Sequence, residues 1–123
     1  MFIRKKKKLK IKNEYYNLKV NTYPNRQLCL CLENKNNKNI ITLNVPNIKI
    51  DYSIAVINPV MANQGIIRIL KKQRIIKNVV STIDYDNALT PLVKINIGKL
   101  KDYDPIGVRN YQDNYLSVEM EYE

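Results

Sequence analysis

No histidine occurs in this chain of 123 residues, and that absence removes most catalytic arrangements at once. No Ser-His-Asp or Cys-His pair can be drawn, and no histidine-based zinc site exists. Glycine is scarce: Gly65, Gly98 and Gly107 lie too far apart to build a phosphate-cradling loop. No apolar run approaches the roughly 18–20 residues needed to cross a bilayer. The start, Met1-Phe2-Ile3-Arg4-Lys5-Lys6-Lys7-Lys8, is basic but is followed by neither an unbroken apolar segment nor a small-residue cleavage site. It does not read as a secretory signal, and a cytoplasmic protein with no membrane partner is the expectation.

Cysteine is limited to Cys29 and Cys31, two apart in the run Gln27-Leu28-Cys29-Leu30-Cys31-Leu32. On a strand both thiols share a face, and bridging them would distort the backbone, so they read as free buried thiols. The alternative, a Cys-x-Cys metal site, falls short of the four ligands zinc takes. The same run is apolar on both sides, with Leu28, Leu30 and Leu32 opposite the cysteines. A strand without a polar face belongs in the middle of a sheet covered on both faces.

The length and a hydrophobic fraction of 45% suit one domain with a real core. We expect a single domain over residues 1–123, with 1–8 as a basic arm and 101–113 as a loop. Lys8, Leu9, Lys10, Ile11 and Lys12 alternate as a strand, Asn13-Glu14 turns, and Tyr16, Leu18 and Val20 form the inward face of its hairpin partner. Tyr23-Pro24-Asn25-Arg26 is a turn. After the double-sided strand, Asn34 to Asn39 is a polar loop. Ile41, Leu43 and Val45 then face inward on a strand that stops at Pro46, and Ile50 to Ile57 is a further strand or short buried segment closed by Pro59.

Asn63 to Lys77 has the helical period, with Ile66, Ile67, Ile69 and Leu70 on one side, Arg68, Lys71 and Lys72 opposite, and Asn63 as N-cap. Val79 to Asp84 and Val93 to Ile97 read as strands. The chain ends on an alternating stretch, with Leu116, Val118, Met120 and Tyr122 against Glu119, Glu121 and Glu123. The sum is an α+β fold, a mostly antiparallel sheet with one amphipathic helix packed on it.

The net charge is +10, unevenly spread: residues 1–13 carry seven bases and no acid, whereas residues 102–123 carry six acids and one base. So positive a chain favours polyanionic partners. The row Lys8, Lys10 and Lys12, with Arg4, Lys5, Lys6 and Lys7 ahead of it and Arg68, Lys71 and Lys72 as a second patch, reads as a nucleic-acid or nucleoprotein contact. Tyr15, Tyr16 and Tyr23 lie near it as stacking surfaces. An intramolecular reading competes: the first strand pairs with the acidic last one and its lysines meet Glu119 and Glu121. A separate coincidence is the repeated tripeptide Asp84-Tyr85-Asp86 and Asp102-Tyr103-Asp104. If the two met, their four carboxylates would suit Mg²⁺ and phosphoryl-transfer or nuclease chemistry; the plainer reading is that Asp ends strands and starts turns.

Between residues 23 and 100 the chain resembles a bacterial family known only as a domain of unknown function (number forty-three thirteen). The matching pieces are Tyr23-Pro24-Asn25-Arg26-Gln27-Leu28, Ile41-Thr42-Leu43-Asn44-Val45-Pro46, Ala55-Val56-Ile57-Asn58, Ile66-Ile67-Arg68-Ile69-Leu70, Thr90-Pro91-Leu92-Val93 and Leu100. Members are encoded on plasmids, conjugative elements and phages. The resemblance implies a mobile-element origin and roles such as element maintenance or countering host defence, and it brings no catalytic residues.

The expectation is therefore a non-enzymatic binding protein without a cofactor, engaging nucleic acid or a host nucleoprotein, in the manner of an anti-CRISPR inhibitor. The alternatives are a protein–protein adaptor working through the helix or the acidic C-terminal strand, and a metal-dependent phosphoryl-transfer enzyme. A long edge strand would also allow pairing with a second copy.

Overall fold

A computed structural model describes residues 7–121. Its first element, β1 (Leu9–Ile11), turns through Lys12 and Asn13, both at positive φ (48° and 67°), into β2 (Glu14–Thr22). Two consecutive left-handed residues make the tight hairpin turn whose twist matches the flanking strands. Lys12 therefore leaves the strand expected to carry it. Tyr23-Pro24-Asn25-Arg26 turns as its residues predict, closed by Arg26 N–H to Tyr23 C=O at 2.8 Å. The chain then enters β3 (Leu28–Glu33), where Leu28 to Leu32 are all buried. Flanked by β2 and by β4 (Lys38–Ile40), β3 lies inside an antiparallel sheet of order β1-β2-β3-β4. The double-sided apolar run is thus an interior strand, and Cys29 and Cys31 are free, buried thiols.

Residues 41–45, expected as a strand, are mostly irregular. Two side chains stand in for a strand ladder: Thr42 Oγ1 accepts the Leu30 N–H (3.1 Å), and the buried Gln27 carboxamide accepts from Val45 N–H (2.9 Å) while donating to Val45 C=O (2.8 Å) and Ile48 C=O (3.2 Å). On its other side this segment joins a second sheet, with Leu43 N–H on Val56 C=O and a bridge from Thr42 to Ile57. That sheet holds β5 (Ile54–Val56), β6 (Ile76–Tyr85) and β7 (Ala88–Ile95) in antiparallel order β5-β7-β6.

Of the helix expected over 63–77, only residues 66–72 form one, α2 (Ile66–Lys72); a separate α1 (Pro59–Asn63) ends where that helix was expected to begin, and Ile76 and Lys77 belong to β6. Gly65, at φ 86°, breaks the run between them, and Arg74, at φ 65°, ends it. Asn63 closes α1; the N-cap is Asn58, whose side chain accepts the Val60 N–H, with Pro59 at the first helical position. Within α2 the faces divide as the period predicts: Ile66 and Leu70 are buried, and Arg68, Lys71 and Lys72 are exposed.

The larger correction is at the C-terminus. After the short α3 (Ile97–Leu100), residues 105–121 form one helix, α4 (Pro105–Glu121). It replaces most of the expected 101–113 loop and the expected acidic strand. The alternation of Leu116, Val118 and Met120 loses to a helical pattern upstream. Val108 and Tyr111 are buried and Gln112 and Tyr115 half-buried, at offsets 0, 3, 4 and 7. Asp104 caps the helix and Pro105 occupies its first position.

The fold is α+β with antiparallel pairing throughout, as expected, but with two sheets and four helical segments among the described residues instead of one sheet and one helix. One hydrophobic cluster draws on both sheets and on α2, α3 and α4, from Leu9 and Leu30 through Leu70 and Val93 to Tyr111. No helix among the described residues is long and apolar enough to cross a membrane.

Candidate nucleic-acid interface

β1 is short and paired on one side only, with β2. Leu9 is buried and Ile11 half-buried, so Lys8 and Lys10 fall on the opposite, exposed side, and Lys12 projects from the turn. Lys7 is tied down by its backbone, which donates to Asp102 C=O at 2.9 Å, and its ammonium lies 5.9 Å from the Tyr103 ring centre. Lys10 sits 5.7 Å from the ring centre of Tyr15, itself 59% exposed. Arg4, Lys5 and Lys6 lie outside the described residues.

The pairing of β1 with an acidic terminal strand does not occur, because residues 105–121 are helical. The ion pairs seen among the described residues, Lys38–Glu33 and Lys99–Asp102, involve none of Lys8, Lys10, Lys12, Arg68, Lys71 or Lys72.

The first hairpin and the α1–α2 pair meet at a groove of about 190 Å³, to which Lys12 is the one cation contributed among the described residues. Ile11, Lys12 and Tyr16 of the first hairpin and Asn39 of β4 line one side; Met61, Gln64, Ile66 and Ile69 of the α1–α2 pair line the other, and Leu32 lies between. The groove thus has an apolar lining with an ammonium and two carboxamides among its polar groups. Tyr16 is held there by a 2.7 Å hydrogen bond from its hydroxyl to Glu14, which raises the pKa of the phenol. Asn39 and Gln64 were not among the expected contact residues. One reads as part of a polar loop and the other as a helix end; the pairing of β4 with β3 sets Asn39 opposite Leu32 at the groove, and the placement of α1–α2 brings Gln64 there.

Tyr23 belongs elsewhere. It follows β2 at the end away from Lys12, roughly 30 Å along the strand at about 3.3 Å per residue. Its hydroxyl approaches Thr42 at 3.3 Å, and burial pushes its pKa up to about 12. It covers the β3–Thr42 junction and does not join Tyr15 and Tyr16 as a stacking surface.

The two Asp-Tyr-Asp segments are not brought together as a metal site. Asp84 pairs opposite Leu89 near the end of the β6–β7 hairpin, and Asp86 sits in its turn at φ 53°. Asp102 is ion-paired with Lys99 at 3.3 Å. The buried Asp104 carboxylate accepts the backbone N–H groups of Val20 (2.9 Å) and Gly107 (3.1 Å). No group of three or more Asp, Glu or Cys among the described residues is placed to hold a metal ion.

In comparisons with known proteins, no family model, no curated protein and no solved structure matches this chain.

Proposed function

We propose that this protein is a non-enzymatic binding module that engages nucleic acid, free or within a nucleoprotein, through the surface running from β1 to α2. The observation that supports this reading is the groove at Lys12. Lys12 enters it from the first hairpin and Gln64 from the α1–α2 pair, while Lys8, Lys10, Arg68, Lys71 and Lys72 are exposed on the flanking elements and take part in neither ion pair seen among the described residues; in this reading they meet phosphates around the groove, with Arg4 to Lys7 extending the contact. The carboxamides of Asn39 and Gln64 and the ring of Tyr16 are suited to base edges and faces, which are accessible in single strands. A role in a mobile element, acting against a nucleic-acid-guided host defence, extends the reading through the family resemblance.

The test is binding of labelled single- and double-stranded DNA and RNA across a salt series. Micromolar or tighter binding that weakens linearly in log salt is expected, and neutralising Arg4 to Lys8 should lower both affinity and slope. Absence of binding near physiological salt, or binding indifferent to salt, would overturn the proposal and point to a protein target.

A further inference from the structure

The two sheets have four edges, and three are defended. β1, β4 and β5 are three residues long each; lysines stand on or beside the first two, and the outer side of β5 is taken by Leu43 and Thr42. Short strands, lysines, β-bulges and cover are the usual protections against edge-to-edge pairing; on β6 the lysine and the two bulges are confined to the first half of the strand. β6 differs. It runs ten residues, and among the described residues no hydrogen bond from elsewhere reaches the backbone of residues 77–85 on the side away from β7.

Two register shifts lie in the first half of β6, next to Lys77 and Val80; from Ser81 to Tyr85 five successive pairs with β7 are unbroken. Asp86 and Asn87, both at positive φ, close the hairpin with a two-residue turn, which makes Tyr85 and Ala88 a hydrogen-bonded pair. Alternation then turns the N–H and C=O groups of Ser81 and Ile83 toward β7 and those of Thr82 and Asp84 outward. The placement of Pro91 agrees, since this residue without an N–H stands opposite Thr82 and its C=O accepts from Ile57 on the far side. The same hairpin exposes Val79 (47%), Val80 (46%) and Leu89 (74%).

We propose that β6 is a dimerisation edge on which a second copy of this chain lays its own β6 antiparallel, joining two three-stranded sheets into one. Charge selects the occupant. Residues 78–83 are uncharged, Lys77 precedes them, and Asp84 and Asp86 follow. A two-fold axis between the strands sets the Lys77 end of each copy against the Asp84–Asp86 end of the other, twice over. No Lys or Arg occurs between Lys77 and Lys94, so here two copies of a chain of net charge +10 meet without apposed lysines. The dimer is independent of what the basic surface binds.

Sedimentation and native mass spectrometry of the full chain test it. A concentration-dependent dimer in the micromolar range is expected. Val80→Lys, which brings like charges near the axis, and Thr82→Pro, which deletes an outward N–H only, should each weaken it at least about tenfold. Lys77→Glu and Asp84→Lys should each self-associate poorly, yet form a heterodimer when mixed, an outcome that misfolding does not produce. A chain still monomeric at about 100 μM overturns the proposal. So does a dimer indifferent to both Val80→Lys and Thr82→Pro, or charge-reversed chains that fail to recombine.

Discussion

The carboxylate of Asp104 accepts the backbone N–H of Val20, 84 residues earlier in the chain, at 2.9 Å. β1 covers β2 only as far as Tyr16, and beyond it the edge of β2 meets the start of α4 instead of another strand. The link between α3 and α4 fills the corner, with Lys7 bonded to Asp102 on one side and Val20 bonded to Asp104 on the other. One carboxylate thus closes a sheet edge and caps a helix.

Asp104→Ala should therefore remove two supports together. Losing an N-cap costs about 1 kcal/mol, and leaving the Val20 N–H without a partner about 1–3 kcal/mol. Urea unfolding should show a loss of roughly 2–4 kcal/mol. Asp51→Ala, at an exposed position outside the strands and helices, should stay within about 0.5 kcal/mol. Equal effects would contradict the capping role.

Gly107→Ala should destabilise the protein even though alanine is the better helix former. A Cβ at position 107 would collide with the Asp104 carboxylate and with the C=O of Val20, so the first turn of α4 must back away from β2. The propensity gain of about 1 kcal/mol is outweighed by an overpacking cost of about 1–3 kcal/mol and by strain on the Asp104 bonds. At Gly98, where a Cβ meets only the Asn96 side chain at 3.5 Å, alanine should be tolerated. Thermal melting of the two variants distinguishes the sites.

Changing Lys8, Lys10 and Lys12 together to Gln should leave folding stability within about 0.5 kcal/mol, since all three are exposed. If they meet phosphates, the slope of log K against log salt should become shallower by about 2. A slope matching that of the unsubstituted chain would remove the β1 row from the interface.

Alkaline pH should unfold the protein through its tyrosines. Burial raises the phenol pKa of Tyr23 to about 12 and also raises those of Tyr103 and Tyr111. Above the ordinary value near 10 the unfolded chain loses these protons first. The native state then binds more protons than the unfolded one, and stability falls as pH rises. The contribution is complete below about pH 10 and, for Tyr23, is lost as pH approaches about 12. Urea midpoints between pH 8 and 12, read with tyrosinate absorbance, should show this decline, and Tyr111→Phe should make it shallower.

Local chemistry by itself determined the interior position of β3, the turn at Tyr23 to Arg26 and the two faces of α2. In each, the signal lies within a few residues: an apolar run without a polar face, a proline at its turn position, a 3.6-residue period. At the end of the chain the sequence reads as a loop and a strand, and the helical signal there is apparent only beside the structure. Alternation at Leu116, Val118 and Met120 suggests a strand, while Asp104-Pro105 with Val108, Tyr111 and Tyr115 suggests a helix, and local preference alone does not separate them.

Tertiary structure decided, because the helix start is bonded to Val20, and Tyr111 stacks on Tyr52 at 5.3 Å and donates to its C=O. The basic surface divides the same way. Its charges are plain from composition, but whether they were neutralised at home depended on where the acidic end of the chain went. The folding of α1–α2 against the first sheet, set by buried Ile66 and Leu70, is what places Gln64 beside Lys12. Contacts between residues tens of positions apart leave no periodic trace in a sequence, which is why β3, the Tyr23 to Arg26 turn and the faces of α2 could be read from it and the groove and the C-terminal helix could not.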